Sequence, residues 1–160
     1  MPQPYAVMVV CTGNICRSPM AEVVLRDRFA AAGLGVVVDS AGISDEEHGR
    51  PIDPRARAVL LEHGYEPADD HRARRVRASD LRERDLVLAM TSAHARALRG
   101  LGDGDVRMYR SFDPGAPVGR AEHALDVDDP WYGGPADFEA CLAQVEAAAD
   151  GIVAFVRGVL

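Results

Sequence analysis

The chain has 160 residues, 48% of them apolar, with a formal net charge of −7 and three cysteines. That is one domain's length, with enough apolar side chain to bury a core without staples. The acidic balance argues against a nucleic-acid or anionic-membrane partner, and an odd cysteine count in a chain this long argues against a disulfide scaffold. All 18 basic residues are arginine, which fits the codon usage of a GC-rich bacterial genome and leaves room for one local basic pocket in an acidic shell. The opening MPQPYAVMVV carries no basic patch and too short an apolar run for a signal peptide, and no run reaches membrane-spanning length. The expectation is a reduced, cytoplasmic protein in which residues 1–160 form a single domain.

Tyr5–Val10 is short, apolar and valine-rich, so it reads as a strand. A helix follows, with Ser18 as its cap and Pro19 in its first turn. Ala21, Val24, Leu25, Phe29 and Ala32 share one face of it, and Gly33 stops it. Val36–Gly42 reads as a second strand and Ser44–Pro54 as a polar loop. Asp53-Pro54 opens a second helix with Ala56, Val59, Leu60 and His63 on one face and Gly64 at its end. A short helix begins near Ser79. Leu86–Met90 is a third strand, Ser92–Arg99 a helix, and Val106–Phe112 a fourth strand. Asp113–Gly134 is a long loop, of the kind that usually carries function. In the last helix, from about Pro135 to Arg157, Phe138, Leu142, Val145, Ala149, Ile152 and Val156 form a core stripe that Val159 extends. Alternating strands and helices imply a parallel sheet covered on both faces, with ligands bound beyond the carboxyl ends of the strands.

Cys11 stands at such an end. Five residues separate it from Arg17, and Ser18 follows. A loop joining a strand to a helix N-terminus turns several N–H groups inward and makes a nest for an anion. Gly13 permits a positive-φ turn there, and Asn14 is the next most tolerant residue. Arg17 adds a planar fork suited to two phosphate oxygens. The same field favours loss of the proton from a facing thiol, and Ser18 can donate to the sulfur. Nucleophile and oxyanion cradle thus coincide.

VCTGNICRSPMAE, Val10–Glu22, resembles the phosphate-loop signature of the low-molecular-weight protein tyrosine phosphatases. DPWYG, Asp129–Gly133, is similar to that family's acid motif, and DSAG (Asp39–Gly42), DPRA (Asp53–Ala56) and DHRARRV (Asp70–Val76) lie between them in the family's order. The resemblance implies an α/β, doubly wound, four-stranded parallel sheet with helices on both faces. It implies hydrolysis of phosphotyrosine through a phosphocysteine, with no metal and no cofactor. Cys11 would be the nucleophile. Arg17 and the loop Thr12, Gly13, Asn14, Ile15 and Cys16 would hold the phosphate, and Asp129 would be general acid and then base. Asn14, Ser18, Ser40 and His71 look like the network that supports the loop. Asp126 and Asp128 are rival acids on the residues alone, but Pro130 stiffens the chain after Asp129, in agreement with the family pattern. Partners would be tyrosine-phosphorylated proteins, with inorganic phosphate or other oxyanions as small ligands.

The chain departs from the family in the loop after DSAG, where an aromatic wall is common and Glu46 stands instead. The expected slot is Glu46, His48, Trp131 and Tyr132, with acidic flanks on the substrate disfavoured. Ile15 points to tyrosine, since the related protein arginine phosphatases carry threonine there. Cys16 is close enough to Cys11 in sequence for a reversible disulfide that shields the nucleophile, and Cys141 reads as core. Thioredoxin-coupled arsenate reductases use the same loop but need a further cysteine pair, and residues 79–105 contain none. A noncatalytic phosphate-binding module would have little use for Asp129. The five histidines and three cysteines show no metal-ligand spacing.

Overall fold

A computed structural model describes residues 3–160. The valine-rich run after Tyr5 forms β1 (Ala6–Cys11), and its alternating side chains feed two cores. Val7 and Val9 face one way and Met8 and Val10 the other. β2 (Val37–Gly42), β3 (Leu86–Ala89) and β4 (Val106–Met108) complete an all-parallel sheet in the order β2-β1-β3-β4. A parallel strand needs both faces covered. α1 (Arg17–Ala31), α2 (Pro54–Glu62) and α5 (Pro135–Val159) cover the Val7 side, with Leu25, Phe29, Leu60, Phe138 and Leu142 among the buried side chains. α3 (Ala78–Glu83) and α4 (Ser92–Leu101) cover the other, through Leu81, Ala95 and Leu98. This is the doubly wound sheet that the alternation implies. The chain leaves β1 toward β2 on one side and returns to β3 on the other, so the end of β1 is the point where the strand order reverses.

Several local expectations need correction. α1 begins at Arg17 with Cys16 at its N-cap and no side-chain cap. Ser18 is therefore inside the helix, and its hydroxyl is fully buried and turned toward Cys11. His63 is not on the buried face of α2; it is exposed and pairs with Glu139 at 2.7 Å. β2 starts at Val37, one residue after the expected Val36. β4 ends at Met108, because Tyr109–Phe112 winds into a 3-10 turn. The turn takes Tyr109 inward, where its hydroxyl donates to Val145 O on α5 at 2.9 Å. The α5 stripe is buried through Val156, whereas Val159 is exposed. Part of the long loop, Glu122–Leu125, is a second 3-10 turn. Among the described residues, no helix is long and apolar enough to cross a membrane.

Candidate active site

The end of β1 delivers Cys11 into a cleft lined by Thr12, Gly13, Ile15, Cys16, Arg17, Ser44, Glu46, Glu47, Asp129, Trp131 and Tyr132. The loop that follows is pinned from β2's side: Ile43 and Ser44 N–H groups donate to Cys11 O (3.0 Å) and Thr12 O (3.1 Å). β2 comes so close that a Cβ on Gly42 would lie 2.5 Å from Thr12 O and 3.2 Å from Asn14 N. Asp53 N–H on the far side donates to Ile15 O at 2.9 Å. The carbonyls of Cys11, Thr12 and Ile15 are so engaged, and the N–H groups of Gly13, Asn14, Ile15 and Cys16 have no acceptor among the described residues. Unpaired donors gathered at a helix N-terminus form an anion nest.

The left-handed turn in this loop belongs to Asn14, with φ 61°, and not to Gly13. At Gly13 a Cβ would come within 3.1 Å of Glu47 Cγ, a tight contact to which the Glu47 side chain would have to yield. Asn14 is wholly buried, and its side-chain amide and its carbonyl are all bonded. Its Nδ2 donates to Ser18 Oγ and to Ser40 Oγ, both at 2.9 Å. Its Oδ1 accepts from Arg74 N–H at 3.2 Å, and its carbonyl accepts from His71 Nε2 at 2.8 Å. The proton directions follow from these bonds. Ser40 accepts from Asn14 and donates to Glu22 Oε1 at 2.8 Å. Ser18 also accepts from Asn14, so its own proton is free for Cys11 Sγ at 3.0 Å; the alternative acceptor, Ala41 O, is at 3.5 Å. A relay runs from Glu22 through Ser40, Asn14 and Ser18 to the sulfur. Burial raises the Glu22 carboxyl above its usual range, against the opposing pull of Arg26 and Ser40.

Arg17 is nearly buried and reaches three oxygens: Val127 O at 3.1 Å, Thr12 Oγ1 at 3.4 Å and Asp129 Oδ2 at 3.4 Å. Asp129 Oδ1 accepts from Trp131 N–H at 3.1 Å. Asp126 is engaged elsewhere through its carboxylate, Asp128 through its backbone N–H. Asp126 Oδ1 accepts from Ser92 N–H at 2.7 Å, and Asp128 N–H donates to Gln144 at 3.2 Å; neither lines the cleft. Cys11, Arg17 and Asp129 thus meet in one place, beside Trp131 and the exposed rim residue Tyr132.

His48, expected in the slot, is exposed and outside the cleft lining. A turn closed by His48 N–H on Asp45 O (3.0 Å) brings Glu47 over Gly13 instead, with Glu46 beside it. Cys16 is buried and free, as is Cys141. Burial, and then the charge of Asp53, push the Cys16 thiol far above its ordinary value; burial pushes Cys141 up to about 12.

His94 has no mark in the sequence. Its ring Nδ1 accepts from Thr91 N–H at 3.1 Å, so Nε2 carries the proton and donates to Thr12 Oγ1 at 2.8 Å. Burial, then the Arg17 charge, lower its pKa to about 3, which keeps it neutral beside the guanidinium. Arg55, on α2, is likewise an unmarked contributor: it bonds the carbonyl of Trp131. Only the contacts mark these residues, since a lone histidine at a helix start and a surface arginine carry no spacing signal. Among the described residues, no group of three or more His, Cys, Asp or Glu side chains could hold a metal ion.

A family model described as low molecular weight phosphotyrosine protein phosphatase matches residues 6–158. A low molecular weight protein-tyrosine-phosphatase of Streptomyces coelicolor is 49% identical over 160 residues, covering 96% of this chain and 94% of that protein. Low molecular weight protein-tyrosine phosphatase A of Mycobacterium tuberculosis is 47% identical over 156 residues, covering 95% and 91%. Among solved structures, a protein tyrosine phosphatase from Entamoeba histolytica with Hepes in the active site is similar at TM-score 0.84 and 28% identity, covering 98% of this chain and 99% of that one.

Proposed function

The chain belongs to the low molecular weight phosphotyrosine protein phosphatase family, and on that premise we propose that its 160 residues act as one cytoplasmic domain hydrolysing phosphotyrosine in proteins. The observation that carries the reading is the meeting of a thiol, a buried guanidinium and a carboxylate over unpaired N–H groups.

The phosphate of the substrate enters the nest and takes the Arg17 fork, which releases Asp129 to face the bridging oxygen. Cys11 Sγ, as thiolate, attacks phosphorus; the S–P bond forms as the P–O(aryl) bond breaks. Asp129, protonated, gives its proton to the departing phenolate. The N–H groups and Arg17 hold the equatorial oxygens as charge develops on them. In the second step Asp129, now a carboxylate, takes a proton from water as that water attacks phosphorus. The S–P bond breaks, returning the thiolate and inorganic phosphate. Ser18, its proton aimed at sulfur, stabilises that leaving thiolate. Trp131, Tyr132 and Ile15 supply apolar contact for an aromatic ring, which supports tyrosine over arginine as the phosphorylated residue. The relatives' names favour neither an arginine phosphatase nor an arsenate reductase.

The test is turnover of aryl phosphates in chelator. Cys11→Ser is expected to abolish turnover while inorganic phosphate still binds by calorimetry. Asp129→Ala is expected to slow poor leaving groups by about 10²-fold or more and good ones much less. Equal slowing across the series removes Asp129 from the acid's role, and a Cys11→Ser protein that still turns over removes the nucleophile.

A further inference from the structure

The segment carrying Asp129 is held unevenly. Upstream it has several anchors. Arg110 Nη1 donates to Ala124 O (3.4 Å) and Asp126 O (3.2 Å), Ser92 N–H donates to Asp126 Oδ1 (2.7 Å), and Arg17 Nη1 donates to Val127 O (3.1 Å). Downstream, among the described residues, residues 130–133 receive a single hydrogen bond from outside 129–137, from Arg55 Nη1 to Trp131 O at 3.1 Å. The same guanidinium lies 5.3 Å from the centroid of the Trp131 ring and 4.7 Å from that of Phe138. Its remaining nitrogens grip both oxygens of Asp53, Nε to Oδ1 at 3.2 Å and Nη2 to Oδ2 at 3.1 Å. Asp53 is in turn fixed to the nucleophile loop, its N–H donating to Ile15 O at 2.9 Å.

We propose that Arg55 is a positioning residue for the acid, tying the Asp129 loop to the Cys11 loop through Asp53 on one side and Trp131 on the other. The inference rests on the phosphatase reading and goes further, giving a role to a residue that does not line the cleft. Its logic is the timing of contacts. Asp129 is about half exposed, at 45%, and its 3.4 Å tie to Arg17 is given up when phosphate takes the guanidinium. At the moment of proton transfer its position depends on the chain on either side, and downstream that chain is held by Arg55. A planar fork suits the task, since it can bond a carboxylate in two places, donate to a carbonyl and stack on a ring at once. Small misplacements of a reacting group are costly: about 1 Å can cost about 10²-fold.

The test uses Arg55→Met, which keeps length and apolar contact, and Arg55→Lys, which keeps charge. Asp53 is left intact because it also caps α2 through Arg55 N–H. Each variant is assayed over a series of aryl phosphates from good to poor leaving groups, alone and with Asp129→Asn. Trp131 is the only tryptophan, so acrylamide quenching of its fluorescence reports directly on the acid loop. Arg55→Met is expected to lower kcat/KM, which reports the step that expels the leaving group, on poor leaving groups by about tenfold or more, with little change on good ones and none in phosphate inhibition. It is expected to add nothing to Asp129→Asn and to raise quenching of Trp131, with Arg55→Lys in between. An equal fall across the series, a full effect on the Asp129→Asn background, or unchanged quenching overturns the proposal. A native protein that turns over no aryl phosphate defeats the phosphatase reading itself, while the quenching result still decides whether Arg55 holds the loop.

Discussion

Asn14 shows how much one residue can be asked to do. It sits at φ 61° and is buried completely, with both amide hydrogens, its side-chain oxygen and its carbonyl bonded. A left-handed backbone costs an ordinary L-residue about 1–2 kcal/mol, and a buried polar partner left unmatched costs about 1–3 kcal/mol. The two terms separate by mutation. Asn14→Gly keeps the backbone and loses the bonds, whereas Asn14→Ala loses both. Both variants are expected to lower turnover sharply, because Ser18 is no longer oriented toward sulfur. Denaturant unfolding is expected to find the alanine variant less stable than the glycine one by about 1 kcal/mol; equal stabilities would mean that the turn is unstrained.

At the scale of elements, the fit between α5 and the Tyr109–Phe112 turn runs against local propensity. Gly151 lies in the interior of a 25-residue helix, where glycine is about 1 kcal/mol worse than alanine. By propensity alone, Gly151→Ala should stabilise the protein. In the fold, a Cβ there would run into the carbonyl oxygen of Phe112, and that backbone cannot yield without moving Phe112 off Phe155, 5.2 Å away between ring centroids. The substitution is therefore expected to destabilise by about 1–3 kcal/mol. Gly100, in α4, has open space where its Cβ would be, so Gly100→Ala is expected to be neutral or to gain up to about 1 kcal/mol. The urea midpoint of Gly151→Ala should fall while that of Gly100→Ala holds or rises; a stabilised Gly151→Ala protein would show that the turn is free to shift.

For the molecule as a whole, buried ionisable groups set the response to acid. The folded pKa of His94, about 3, lies below its ordinary 6.5, so between those values the unfolded chain binds a proton that the folded chain refuses. Stability from this group is lost as pH falls through that window, by at most about 1.4 kcal/mol per pH unit. Asp53 and Asp80 are buried carboxylates, and burial opposes their ionisation. Their pKa values are nevertheless lowered, because bonds from Arg55 and Arg74 outweigh that cost, so their stabilisation is also lost in acid. Glu22, raised by burial, acts in the opposite sense: it stabilises at low pH and loses that contribution as pH rises through its folded pKa. Between about pH 6.5 and 4 His94 therefore lowers the melting temperature against the opposing effect of Glu22. Asp53 and Asp80 add to the fall only below about pH 4, and His94→Gln is expected to show a shallower slope in the upper window. An unchanged slope in that variant would mean that the imidazole is not held neutral.

The alternation of strands and helices, the place of Cys11 and Arg17 on one loop, and the family are all legible along the chain, because they depend on short-range spacing: apolar runs of strand length, a glycine after a helix, five residues between a thiol and an arginine. Which partner each group meets is set by folding. That Ser18 serves the sulfur and caps no helix, that Glu47 and not His48 overlies Gly13, that β4 stops for Tyr109 to reach Val145, and that His94 and Arg55 reach toward the site all depend on contacts between segments far apart in the chain. Such contacts are chosen by burial and by the need to satisfy polar groups once the layers close, and local spacing holds no record of that choice.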